Sequence, residues 1–190
     1  MSSSSSSNKR RRVEQQPQRV ISYGVLLYKR NEDEIQYLLG LIPQRNWWTV
    51  FKGLPSTTCN ETPTETALRE FGEETGTQGL LKTLVPETTL HGKAGKKDLV
   101  IFLQEGSHVS EDCFRLEHVV TIDKGYMMGK PEIVQIQWMT LAEAVEGTKG
   151  AKLYTSQINI LQDAQEFLEN SNNSSSDEQE QQQRKTTCDE

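Results

Sequence analysis

The segment Arg69-Glu70-Phe71-Gly72-Glu73-Glu74-Thr75-Gly76-Thr77 sets three carboxylates, Glu70, Glu73 and Glu74, at i, i+3 and i+4. On a helix this spacing stacks them on one face within a turn, where like charges repel by a few tenths of a kcal/mol. A divalent cation would offset that repulsion, and clustered carboxylate oxygens are the donors that hard ions such as magnesium take. An ion held there could polarise a phosphoryl oxygen and lower the pKa of a water. The same spacing also describes a solvated acidic face, so the flanking residues have to decide.

The flanks predict a helix. Thr62-Pro63-Thr64-Glu65 has the form of a capping box, with Pro63 at the first helical position. Ala67, Leu68, Phe71 and Thr75 form a stripe of the buried type, and Gly76 stands where a left-handed C-cap belongs. Arg69 and Glu73 form an i, i+4 pair of opposite charge that can fix one carboxylate's direction.

Glu61 lies eight residues before Arg69, and Gly53 ends Phe51-Lys52-Gly53. In this stretch the chain resembles the Nudix (MutT-like) hydrolase family, whose signature is Gly, five residues, Glu, seven residues, Arg-Glu-apolar-x-Glu-Glu-x-Gly-apolar. Glu61, Arg69, Glu70, Phe71, Glu73, Glu74 and Gly76 match in type and spacing. Two positions depart: seven residues separate Gly53 from Glu61, lengthening the loop Leu54 to Asn60, and the last apolar position is Thr77. The resemblance implies an enzyme that hydrolyses phosphoanhydride bonds with magnesium, manganese being the alternative ion. It implies Glu70, Glu73 and Glu74 as metal ligands, with the Lys52 main-chain carbonyl as a further one. Arg69 is expected to orient a carboxylate, and Glu61 to be structural.

The catalytic base is left open between a helix glutamate, Glu73 or Glu74, and a loop glutamate, Glu132. The latter stands six residues ahead of Trp138, as in MutT-like and dinucleoside tetraphosphate hydrolases. Within the family, the chain is most similar to the asymmetric diadenosine tetraphosphate hydrolase branch. Trp48-Thr49-Val50-Phe51-Lys52-Gly53 resembles that branch's Trp-x-x-Pro-Lys-Gly, with Phe51 for Pro. Lys97 stands where the branch carries a phosphate-facing lysine ahead of an apolar strand. Trp47 and Tyr126 are candidates to stack on a purine, since an aromatic face accepts any base. The expected substrate is thus a small nucleotide polyphosphate. Diphosphoinositol polyphosphates, which Lys93, Lys96, Lys97, Lys124 and Lys130 could face, nucleoside diphosphate sugars and capped RNA ends are rival substrates. A non-catalytic binding module is the rival class, against which the intact carboxylate set argues.

These residues need a frame. Arg19 to Tyr28, Ile35 to Ile42, Trp47 to Phe51, Leu80 to Val85, Thr88 to His91, Leu99 to Gln104 and Val134 to Met139 read as strands. Leu141 to Val145 reads as a short helix and Thr155 to Leu168 as a closing amphipathic helix. Strands in this proportion indicate an α+β domain, and the resemblance implies a Nudix-type α/β/α sandwich around a mixed β-sheet. Residues 18–169 are expected to be that domain. Residues 1–17, Ser-rich and basic, and 170–190, rich in Gln, Ser and acidic residues, are expected to be disordered tails, since neither can bury enough surface to offset its ordering entropy.

The formal net charge of −6 gives the whole chain no polyanion-binding footprint. Lys9 to Arg12 is a local basic cluster that could serve as a nuclear import signal or nucleic-acid arm. No apolar run approaches the roughly 18 residues of a membrane span. Cys59, Cys113 and Cys188 lack metal-ligand spacing and fit a reducing compartment, so a monomer in the cytoplasm or nucleus is expected.

Overall fold

The computed structural model describes residues 19–31, 34–122, 125, 128–148 and 150–171. Tyr126, Lys124 and Lys9 to Arg12 lie outside the described residues. One mixed sheet organises the rest. β1 (Val20–Asn31) and β2 (Glu34–Ile42) leave their hairpin paired, from Tyr28↔Tyr37 to Asn31↔Glu34. They then splay, and the gap is filled by β3 (Trp47–Thr49), which pairs with β2, and β4 (Phe51–Gly53), which pairs with β1. The run Trp47 to Phe51, which reads as one strand, is therefore two. At Val50 the chain changes partner, and its N–H leaves the ladder for Gln157 Oε1 at 2.8 Å. Uniform aromatic and β-branched character hides such a break, because the residue that satisfies it lies far along the chain.

On its other edge β1 runs parallel to β6 (Lys97–Glu105), from Val20↔Lys97 to Tyr28↔Glu105. β5 (Thr88–Ala94) forms the antiparallel edge beyond β6, and the two join through Gly95, whose φ of 61° suits a glycine. Lys97 is thus the first residue of its strand. A small ladder, β7 (Thr121–Ile122) with β8 (Lys130–Pro131), precedes β9 (Gln135–Thr140), which pairs along β2. β10 (Lys152–Leu153) lies parallel to β3.

Leu80 to Val85, which reads as a strand, is irregular. Its chain leaves left-handed Gly76 and Gly79, buries Leu81, and lays Leu80 and Leu84 on the core without alternating. Val85 donates its N–H to the Gln104 side chain rather than to a strand.

Val25 to Tyr28 are all buried because helices cover both faces of the sheet. One core joins Leu26, Tyr28, Leu99, Ile101 and Leu103 to Ala144 of α2 (Leu141–Glu146) and to Ile160, Leu161, Ala164 and Leu168 of α3 (residues 158–171). The other joins Val25, Leu27, Phe51 and Phe102 to Ala67 and Phe71 of α1 (Pro63–Thr75). The layers are helix, mixed sheet, helix. Thr155–Gln157 form a 3-10 turn ahead of α3, and α3 runs on to residue 171, into the stretch expected to be tail.

Candidate active site

α1 begins at Thr62, whose side chain accepts the Glu65 N–H while Glu65 answers at the Thr62 N–H, and it ends at Gly76 in the left-handed region. A Cβ at Gly76 would stand 1.9 Å from the Arg115 carbonyl oxygen, so both conformation and space require glycine there. These caps fix which way the helix presents its acids.

Glu74 is buried, 4 % exposed, and reaches into the fork between the splayed strands, where it accepts the Lys52 main-chain N–H at 2.7 Å. A strand residue's N–H and C=O leave by the same edge, so the Lys52 carbonyl also turns away from β1 toward this side. Burial pushes the Glu74 carboxyl well above the usual range, opposed by Lys52 and reinforced by Glu132 and Glu70. Glu70 lies against Gly53. A Cβ there would stand 1.9 Å from the Glu70 carboxyl carbon, so the glycine makes the room the acid occupies. Burial raises the Glu70 carboxyl too, against the pull of Arg69.

Arg69 gathers the rest. Its Nε donates to Glu61 Oε1 at 2.8 Å, Nη1 meets Glu70 at 2.8 Å and Glu73 at 3.0 Å, and Nη2 donates to the Leu54 carbonyl at 2.8 Å. Glu61 also accepts from Ser56 N–H at 3.0 Å and Thr66 Oγ1 at 3.2 Å. Held by Arg69 first and then Ser56, its carboxyl falls to about 2. The lengthened loop Leu54 to Asn60 is thereby pinned at Leu54 and Ser56, and Ser56 and Thr58 bond to each other across its tip.

Glu132 reaches the same place from the other end of the chain. Ile133, fully buried, fills the space that Gly40 leaves open, while Glu132 N–H donates to Val120 O at 3.2 Å and Val134 N–H to Leu41 O at 3.0 Å. Burial raises the Glu132 carboxyl; Glu73 adds to the rise, while Lys52 and Lys97 oppose it. Glu70, Glu73, Glu74, Glu132, Lys52 and Lys97 therefore share one electrostatic neighbourhood. The Lys52 side chain is the member that the sequence reading passed over, because only its carbonyl carries a motif role. Trp47 stacks on Tyr154, centroids 4.7 Å apart, with the Arg45 guanidinium 5.2 Å from its ring, so its aromatic surface is already engaged.

Among the described residues, no three acidic, histidine or cysteine side chains close into a metal-sized cage. Arg69 draws Glu70 and Glu73 to itself, and Glu74 is spent on Lys52 N–H. Yet the donors are all hard oxygens, and three of these carboxyls are raised by burial and mutual repulsion, a surplus of negative charge that suits a divalent ion. Magnesium keeps several of its waters and takes few protein ligands, so this set fits it. The mainly apolar cleft of about 510 Å³ between α2 and α3 contains none of these residues.

No curated protein matches the chain. Among solved structures, an Ap4A hydrolase of C. elegans in a binary complex is 21 % identical with a TM-score of 0.55, covering 80 % of this chain and 98 % of that one. The NUDIX domain of Shewanella oneidensis NrtR, complexed with ADP ribose, is 16 % identical with a TM-score of 0.52, covering 80 % and 90 %. A putative NUDIX hydrolase of Listeria monocytogenes is 16 % identical with a TM-score of 0.55, covering 82 % and 97 %. The family profile of the NUDIX domain matches residues 16–162, a span that takes in the fork, the carboxylate helix and the Glu132 loop. The chain therefore belongs to the Nudix family and is a pyrophosphohydrolase.

Proposed function

We propose that this hydrolase is magnesium-dependent and splits diadenosine tetraphosphate asymmetrically, with water, into ATP and AMP. The observation that carries the reading is the meeting of Glu132 with the carboxylates of α1, with Lys97 near enough to draw on the Glu132 carboxyl. One is the loop acid and the other the strand lysine that the tetraphosphate-cleaving branch places over its polyphosphate. The fold-level likeness to the Ap4A hydrolase supports the same choice.

Glu70, Glu73 and Glu74, with the Lys52 carbonyl, are the residues that would hold magnesium. When bound, the ion supplies charge neutralisation on phosphoryl oxygens and an acidified water. Glu132, raised by burial, is the group to take the water's proton at its carboxylate. Lys97 neutralises the chain as a point charge, and Arg69 keeps Glu70 and Glu73 aimed.

The test is a panel of dinucleoside polyphosphates, ADP-ribose, a nucleoside diphosphate sugar and a diphosphoinositol polyphosphate, with products identified by mass. ATP plus AMP from the dinucleotide is expected; two ADP molecules would overturn the asymmetric cut. Glu70→Gln and Glu74→Gln should each cost roughly two or more orders of magnitude in rate. Magnesium should also raise the melting temperature of the native protein and do so less in these variants, a readout independent of turnover. A second reading, diphosphoinositol hydrolysis, draws on the exposed Lys93, Lys96 and Lys97 of the β5–β6 hairpin. Faster phosphate release from that panel member would select it.

A further inference from the structure

The cleft between α2 and α3 opens on the face of the sheet opposite α1, so it takes no part in the chemistry above. Leu141 and Val145, at i and i+4 on α2, form its floor with buried Ile35 of β2. Val145 is 36 % exposed, while Ala144 beside it is fully buried in the core. α2 is thus apolar on two sides, and one of them faces solvent. The wall on α3 is fixed, because Gln165 accepts the Tyr37 hydroxyl at 2.9 Å and donates to Glu169 at 2.6 Å.

Charge decides what such a cleft can take. α2 and α3 carry Glu143, Glu146, Asp163, Glu166 and Glu169 and no lysine, arginine or histidine. Glu34 and Glu146 line the cleft itself. Exposed Glu166 and Glu169 continue the row, one turn on from Gln162 and Gln165, which line it. Arg30, bonded to the Leu168 carbonyl, and Lys152, beside Gly147, stand near these helices, but neither lines the cleft. A face of this sign repels nucleic acid and anionic lipid. A small cation would meet one or two of the carboxylates and leave the apolar floor unused. An amphipathic helix uses both, laying apolar side chains between two helices and its lysines or arginines on the acidic rim. The volume of about 510 Å³ is that of a pocket for side chains rather than for a folded domain. We infer that this cleft docks a basic amphipathic helix of a partner protein, with Val145 at the apolar centre and Glu34 and Glu146 on the rim.

The probe is a synthetic leucine–lysine peptide, about four helical turns long, patterned to be apolar on one face and basic on the other. A second peptide has the same composition in scrambled order, so it carries the charge without the apolar face. Binding to the full chain is followed by fluorescence anisotropy. The patterned peptide should bind about tenfold or more tighter than the scrambled one, and its affinity should fall as salt rises. Val145→Gln should weaken it about fivefold, and Glu34→Gln with Glu146→Gln should both weaken it and flatten the salt dependence. If Val145→Gln fails to fold by circular dichroism, Ala142→Gln, which puts bulk into the cleft from an exposed position, is expected to weaken binding in its place. Hydrogen exchange should slow in α2 and α3 on binding, and saturating peptide should leave turnover unchanged. Equal binding of the two peptides, or loss of turnover by competition with substrate, would overturn the assignment. So would two other occupants. A chain with Lys9→Gln, Arg10→Gln, Arg11→Gln and Arg12→Gln that bound the peptide far more tightly would show the cleft filled by its own basic segment. A dimer in sedimentation that Val145→Gln dissolves would show it filled by a second copy.

Discussion

Gly53 and Gly24 stand opposite each other's strand, and both resist a methyl group, for different reasons. At Gly53 a Cβ meets the end of the Glu70 side chain, which can swing aside. At Gly24 it meets the Phe51 carbonyl oxygen at 2.1 Å, which cannot move without β4. Gly53→Ala is therefore expected to melt within a few degrees of wild type while losing activity about tenfold or more, because Glu70 no longer stands where it is needed. Gly24→Ala is expected to lower the melting temperature itself, and paired melting and rate measurements separate the two. Glu61 gives a pH test. Its carboxyl lies at about 2 against an ordinary 4.5, so its stabilising share is complete above 4.5 and is lost as pH falls toward 2. Glu61→Gln should show a shallower fall in stability across that window than wild type in thermal melts. At this scale the carboxylates, the caps and Gly53 were legible because a motif and a 3.6-residue period are local. Thr49 and Gln157 were not, since their hydrogen bond spans the sheet and neither residue type marks a role.

The helix that carries the acids is secured at its entrance by a reciprocal cap, Thr62 with Glu65, seconded by Thr66 Oγ1 to the Thr62 carbonyl. Thr62→Ala should cost about 1 kcal/mol in denaturant unfolding, without altering which substrate is cleaved. An unchanged midpoint would mean that tertiary contacts of Ala67 and Phe71 hold the first turn unaided. Elements were read from sequence where an apolar run or a helical period marked the whole segment. β1, β2, β6, α1 and the last helix came through on their apolar runs or period. The fork did not: Trp47 to Gly53 changes partner at a residue whose side chain, Val50, looks like any other strand residue. Leu80 to Val85 erred the other way. Its leucines suggested a strand, but β6 already has β5 on that edge, and the segment serves as apolar packing on the core that holds Ala67 and Phe71.

At the level of the whole molecule, the sandwich has the catalytic helix on one face and α2 with α3 on the other, and the site sits where the sheet opens between them. The N-terminal residues and the Gln-rich end are poor in apolar residues. A chain of residues 18–171 should fold and turn over at the full-length rate. Intact circular dichroism with lost activity would show that an end contributes to the site. Fusing residues 1–17 to a reporter tests the proposed import signal separately, with a diffuse cytosolic signal counting against it. The architecture was legible from the order of strands and helices together with the family signature. The depth of the fork was not, because it arises from two strands diverging rather than from any one segment.

That divergence has a bearing on how the protein comes off the ribosome. β1 is finished early, yet its parallel edge waits for Lys97–Glu105 and the fork beside it for Gln157. Arg30 is tied to the carbonyl of Leu168 and Tyr37 to Gln165, so even the first hairpin is completed by α3. A nascent chain that has exposed the whole acidic helix still lacks Glu132, Gln157 and one face of its sheet. It is an unpaired, apolar strand in need of shelter rather than a hydrolase, and catalytic competence arrives only once α3 has been made.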